Sequence, residues 1–241
     1  MVRMSVLCAA IIALLYVPAA AQGLFSTGFE PPTYVAGEPI GGVDGWALLS
    51  GQASQAVVQS AYVHSGSQAL GIQQPPTGGT GAVALVHDFL TWSSGVLVVE
   101  FWAMPGDNTD ATGAWIAVEQ DRSTSTRSAL FGFRSGVLAY NNGGAWVNST
   151  TPYNVGEWYK LTGVLNYDTR KWDFYVNGNL FASNLGFYHA AHTAANNIRF
   201  YKGTNNLGMA VDDLQIIPEP SSLLVLASGL LGAAGWLRRR V

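Results

Sequence analysis

The stretch around residue 175 fixes the kind of fold this chain can adopt. Trp172, Phe174 and Val176 recur at every second position, Asn177-Gly178 follows, and Leu180-Phe181-Ala182 continues behind it. A period of two puts the three large side chains on one face of a β-strand. Asn-Gly supplies the positive φ angles of a two-residue type I′ hairpin. The same grammar runs through the middle of the chain. Runs rich in Val, Tyr, Phe and Trp, bounded by Gly, Asn and Ser, occupy residues 56–63, 82–89, 96–104, 115–119, 129–134, 158–167, 198–201 and 209–216. Asn142-Gly143-Gly144 is read as another type I′ turn, between residues 137–140 and 145–147, and Asp168 to Lys171 is a polar turn. Leu161 and Leu165 share a strand face with Gly163 between them. No segment of helical length before residue 218 holds a 3.6 period. Many strands with short turns predict an all-β, two-sheet antiparallel jelly-roll sandwich.

Both ends differ from this middle. Residues 1–21 read as a secretory signal peptide: Arg3, an apolar core from Val6 to Val17, and the small-residue cleavage site Ala19-Ala20-Ala21, which leaves Gln22 first. Cys8, the one cysteine, lies in that apolar core, so the exported domain has no disulfide. The domain, residues 22–217, is long enough to bury a full core. Between residues 23 and 217 it carries 14 acids against eight bases, which argues against nucleic acid as a partner.

Residues 218–241 form a tail. Pro218-Glu219-Pro220 precedes an uncharged apolar run from Leu223 to Leu237, and Arg238-Arg239-Arg240 follows. As a helix the run spans about 22 Å, short against a hydrocarbon core of about 30 Å. The arginines mark the cytoplasmic side, which places the domain outside. Gly229, Gly232 and Gly235 give the run a small-residue strip that suits a partner helix or simply belongs to a plain anchor. Pro218-Glu219-Pro220, the apolar run and the arginine cluster together resemble the PEP-CTERM sorting signal of Gram-negative bacteria. The resemblance implies processing near the motif by an exosortase, a membrane protease-transpeptidase, in an organism that makes extracellular polysaccharide. It implies a protein anchored by its C-terminal helix before processing, then delivered to the cell surface or extracellular matrix.

A second resemblance rests on Glu157-Trp158 to Asp168, on Trp172 to Gly178 with its Val-Asn-Gly hairpin, and on the closing run Met209 to Ile216 with Asp212-Asp213. Together with Gly28-Phe29-Glu30 and Gly45-Trp46, these resemble the concanavalin A-like lectin and glucanase superfamily, in its laminin-G-like branch. Glucanases of that superfamily carry alternating carboxylates on one strand. The nearest match here is Glu119-Gln120-Asp121, where Ser123 and Thr124 stand in place of the further glutamate, so catalysis is not expected. Adjacent strand residues Asp212 and Asp213 point to opposite faces unless the strand bulges. By resemblance to other jelly-roll modules, a structural calcium would join Glu30 to Asp213, with Asp212 the lesser candidate; the alternative is a carboxylate pair held by backbone amides. His189 and His192 lack a companion that would make a zinc set.

The tryptophans divide by context. Trp102, Trp115, Trp158 and Trp172 are expected in the core, while Trp46, Trp92 and Trp146 flank small or polar residues and are expected to be exposed. Trp146, Tyr140 and Asn142 form a candidate sugar-binding group, because aromatic rings stack on sugar C–H faces and amides bind hydroxyls. The resulting expectation is an exported, surface-sorted, non-catalytic module of the envelope or polysaccharide matrix that binds carbohydrate. The alternatives are a glycoside hydrolase of the same fold and a purely structural matrix protein. The inward face of the sheet bearing Glu119 and Asp121 separates them: a deep groove with paired carboxylates indicates the enzyme, an exposed aromatic strip the binder, a filled face the structural protein.

Overall fold

The computed structural model describes residues 23–73, 81–109, 111–123, 126–203 and 208–219. The signal peptide, the apolar run of the tail, Pro220 and the arginines 238–240 lie outside them. Gly23–Pro218 forms a compact unit by itself. Its described residues build two antiparallel sheets and one short 3-10 turn, Ala53–Gln55. The first sheet runs β13 (Asn179–Gly186), β12 (Lys171–Val176), β11 (Tyr159–Asn166), β6 (Val96–Pro105), β15 (Met209–Pro218), β4 (Ala69–Ile72) and β3 (Ala56–Gln59), with β1 (Phe25–Thr27) also paired to β15. The second runs β10 (Ala145–Pro152), β9 (Val137–Asn142), β8 (Thr126–Arg134), β7 (Ala114–Asp121), β14 (Ala195–Lys202), β5 (Val83–Trp92) and β2 (Trp46–Ser50). This is the jelly-roll sandwich that the alternation demands.

The core lies between the sheets. Leu97, Val99 and Phe101 of β6, Leu161 and Leu165 of β11, and Trp172 and Phe174 of β12 face Ile116 and Val118 of β7, Phe131 and Phe133 of β8, and Ile198 and Phe200 of β14. Phe131 is the hub: its ring centroid lies 5.9 Å from Phe101, 5.6 Å from Trp172 and 5.1 Å from Phe174. Gly163 makes room for it. A Cβ at that position would stand 2.9 Å from the Phe131 ring, so the opposing sheet can close only over a glycine.

Asn177 and Gly178 have φ of 51° and 77°, the paired positive values of the expected type I′ turn. At the other hairpin the register places Asn142 opposite Ala145, so the loop is Gly143-Gly144 and only Gly143 has positive φ (61°). That is the pattern of a type II′ turn rather than the expected type I′, because glycine at the first position takes up the unusual angle and Asn142 stays in the ladder. The expected strand over 56–63 stops at Gln59, where the Gln59 side chain accepts from the amides of Ala61 and Tyr62 and turns the chain away. Trp46 is not exposed: at 1% accessibility it packs among Phe25, Phe29, His87 and Phe200. Trp102 and Trp158, expected in the core, are instead half-buried beside His64, with Trp158 just ahead of β11.

Candidate functional site

Glu30, Asp212 and Asp213 come together at the middle of β15, between its pairings with β4 and β1. The register between β15 and β6 slips between Asp212 and Gln215, and Asp213 takes φ of 50°. That bulge lets both carboxylates turn toward the loop at residues 64–68. Asp212 Oδ2 accepts from the amides of His64 and Ser65 at 3.0 and 3.1 Å, and Oδ1 accepts from the Asp213 amide at 2.9 Å. Asp213 takes Ser65 Oγ at 2.7 Å on Oδ1 and His64 Nδ1 at 2.9 Å on Oδ2. Glu30 accepts from the amides of Ser67 and Gln68 and from Ser67 Oγ. The Ser67 bonds hold the Glu30 carboxyl below the ordinary glutamate value. Burial pushes Asp212 up, against the pull of its backbone donors.

All six carboxylate oxygens therefore face hydrogen-bond donors. Calcium wants six to eight oxygens converging on one point. The described residues bring no three or more His, Cys, Asp or Glu side chains into a position to hold a metal together. As placed, the three acids form a hydrogen-bonded clasp and do not fit a calcium cage.

The second cluster lies on the face of the second sheet that the first sheet does not cover. Alternation sends Trp115, Ala117 and Glu119 of β7 to that face, opposite Ile116 and Val118. Register aligns Glu119 with Asn197 of β14 and Trp115 with Tyr201, and Asn197 in turn with Asp88 of β5. Trp115 and Tyr201 stack at 4.4 Å with 20° between rings, and Trp146 of β10 meets Trp115 edge-on at 5.9 Å. Tyr188 packs against the same cluster. Arg127 lies over the Trp115 ring at 5.3 Å, and Arg134 over Trp146 at 5.4 Å.

Glu119 follows along β7, about 13 Å from Trp115 at the usual strand rise. It is fully buried and held by Arg127 Nε at 3.0 Å and Arg199 at 2.9 Å. Burial raises its carboxyl above the ordinary glutamate value, while the two guanidiniums pull the other way. Past Glu119 opens a polar hollow of about 300 Å³, lined by Asp88, Gln120, Asp121, Arg122, Asn196 and Asn197 among others. Asp121 Oδ1 is taken by the amide and hydroxyl of Ser123 in its own turn.

Trp146 thus belongs to an aromatic face, but the sugar-binding group expected around it does not assemble. Tyr140 pairs with Val147, one position on from Trp146, so it points to the inner side, where it packs with Phe174 and Phe181. Asn142 spends its Oδ1 on the Gly186 amide at 2.9 Å. Sequence reasoning missed Tyr201 and Tyr188; Trp115 is buried as expected, but in a small second cluster on the outer face of the sheet. The available signal was parity: Trp115 shares its face with Glu119, and a strand face bearing a glutamate is unlikely to be the hydrophobic interface.

A family model described as the concanavalin A-like lectin/glucanases superfamily matches residues 77–220, and a model of the PEP-CTERM protein-sorting motif matches residues 217–240. No curated protein matches the chain in sequence. Among solved structures, a cellulose-induced protein, Cip1, superposes with a TM-score of 0.54 at 15% identity, over 80% of this chain and 96% of that one. The globular domain of T. cruzi calreticulin gives 0.53 at 11% identity over 88% and 94%. A sialidase gives 0.53 at 17% identity over 73% of this chain, which spans 17% of the sialidase. At these identities the likeness is one of fold. The sorting motif marks the protein for export and membrane-anchored processing, and implies an exosortase as the processing enzyme.

Proposed function

Because the chain belongs to the concanavalin A-like lectin/glucanases superfamily, we propose that it is a non-catalytic carbohydrate-binding module, sorted by its tail to the cell surface or extracellular matrix. The observation that carries this reading is the pair of half-buried rings Trp146 and Tyr201, packed around the buried Trp115 on the outer face of the second sheet. Aromatic rings there offer flat apolar area to sugar C–H groups, and the hollow beyond Glu119 offers carboxylates and amides to hydroxyls. The absence of catalysis is supported by the state of Glu119. Glycoside hydrolysis needs two carboxyl groups facing the scissile bond. Glu119 is enclosed between two arginines, and Asp121 is engaged by its own turn.

The test is binding. Residues 22–217, the compact unit but for Pro218, are applied to a glycan array and then titrated with the best ligand. Trp146→Ala, at a half-buried site, is expected to weaken binding at least tenfold without lowering the melting temperature by more than a few degrees. Undiminished binding by that variant removes the face from the function.

A further inference from the structure

We infer that the polymer bound across the outer face of the second sheet is a carboxylate-bearing polysaccharide. The inference rests on the carbohydrate-binding reading above and names its ligand class. Residues 23–217 are acidic overall, yet four of their eight bases, Arg122, Arg127, Arg134 and Arg199, gather on or beside this one face. All four are arginines. The lysines lie elsewhere: Lys160 pairs with Glu100 on the first sheet, Lys171 starts β12, and Lys202 is buried at the end of β14.

The acids on the face do not cancel these charges evenly. Glu119 is shared by Arg127 and Arg199, and Asp121 follows it two positions along β7, so with Asp88 three carboxylates stand against the four arginines. Arg122 pairs with Asp88 at 3.2 Å. Arg134 has no carboxylate partner among the described residues. Its Nε donates to the Ala111 carbonyl at 2.8 Å, which fixes the plane of the guanidinium over Trp146 and leaves its terminal nitrogens as donors.

A half-buried indole with a guanidinium fork over it is a two-part receptor. The ring area that Arg134 leaves open takes the apolar face of a sugar, and the fork takes a planar carboxylate through two parallel N–H···O bonds. A neutral glycan would leave that fork's charge unanswered. Single-stranded nucleic acid also stacks on aromatic rings and arginines. It needs a basic track along the backbone, however, and here the arginines outnumber the carboxylates by one on an acidic domain.

Residues 22–217 are tested by affinity electrophoresis and titration against polygalacturonate, a neutral β-glucan, heparin and a poly(dT) oligonucleotide, at 20 and 300 mM salt. Polygalacturonate is expected to bind best and to weaken severalfold at the higher salt. Arg134→Gln should lower its affinity about tenfold, and Arg134→Lys should restore only part of it. Lys171→Gln, on the other sheet, should change nothing. If the neutral glucan binds equally well, ignores salt and is lost in Trp146→Ala but not in Arg134→Gln, the carboxylate assignment is wrong and the binding face stands. Preferential binding of heparin or poly(dT) through Arg134 overturns the assignment in favour of sulfate or phosphate. If no glycan binds, or if Trp146→Ala and Arg134→Gln are both silent, the binding face itself falls.

Discussion

His64 Nδ1 lies 2.9 Å from Asp213 Oδ2, a contact that spans 149 positions of sequence. It closes a clasp in which the loop after β3 is fastened to the last strand by side chains of Asp212 and Asp213 and to the start of the domain by Glu30. In a domain without disulfides, this polar fastening does work that a cross-link does in other exported folds.

Removing the fastening should cost stability. Asp212→Asn keeps one acceptor oxygen but turns an amide group toward N–H donors that Asp212 now satisfies. A buried donor left unsatisfied costs about 1–3 kcal/mol, so denaturant unfolding should show a loss in that range. A variant as stable as the parent would show that the loop holds without its carboxylate.

The clasp as built also predicts indifference to metal. Residues 22–217 should melt at the same temperature in EDTA and in millimolar calcium. A metal bound only by the native state at a hundredfold excess over its dissociation constant adds about 2.7 kcal/mol, which a melting curve resolves easily. A fall in EDTA that calcium reverses, and that Glu30→Gln abolishes, would establish the calcium expected from the sequence.

Stability should depend on pH through His192. Its ring is buried beside Ser128, and burial, reinforced by His189, lowers its pKa to about 4. An unfolded histidine titrates near 6.5. Above that pH both states are neutral here and the contribution is complete. Between about 6.5 and about 4 the unfolded state takes up the proton first, so stability falls as the pH drops. Depressed Glu30 adds its own loss only at lower pH, below about 4.3. Denaturant titrations at pH 7.5 and 4.5 should therefore differ less in His192→Gln than in the parent. Equal pH dependence in both would mean that His192 is not the group responsible.

Glu119→Gln separates structure from catalysis. It leaves Arg127 and Arg199 facing each other without their anion, and breaking such a buried pair costs about 3–5 kcal/mol. The parent should release no reducing sugar from β-glucans. Turnover by the parent that vanishes in a folded Glu119→Gln protein would make the enzyme reading correct.

The tail is tested in cells. A chain ending at Ile217 should be exported yet appear in the medium, while the full chain fractionates with the envelope. Retention of the shortened chain in the envelope would show that the sorting motif is not what holds it.

The sequence made the strands legible because the core of a sandwich imposes a period of two, and β6, β11 and β12 obey it. What it hid was which side of a sheet faces the partner sheet. Trp115 and Ile116 are apolar neighbours, and the register with Tyr201, with the parity shared with Glu119, puts Trp115 on the outer face. Trp46 looked like a loop residue because Gly45 precedes it, yet that glycine's φ of 83° is what lets the chain turn its indole inward. The Asp212-Asp213 pair carried its alternatives openly. A bulge turns both acids toward one loop, and bulges leave no mark in a residue pattern beyond the acids themselves.

Pro218, where the folded unit ends, closes a strand that lies inside its sheet, with β6 along one side and β4 and β1 along the other. Tension arriving through that residue runs along β15 and loads both ladders in shear, so their bonds must fail together instead of peeling one by one. A module held by its C-terminal end while flowing fluid drags on whatever its far sheet grips would meet that load along a strand bonded on both sides.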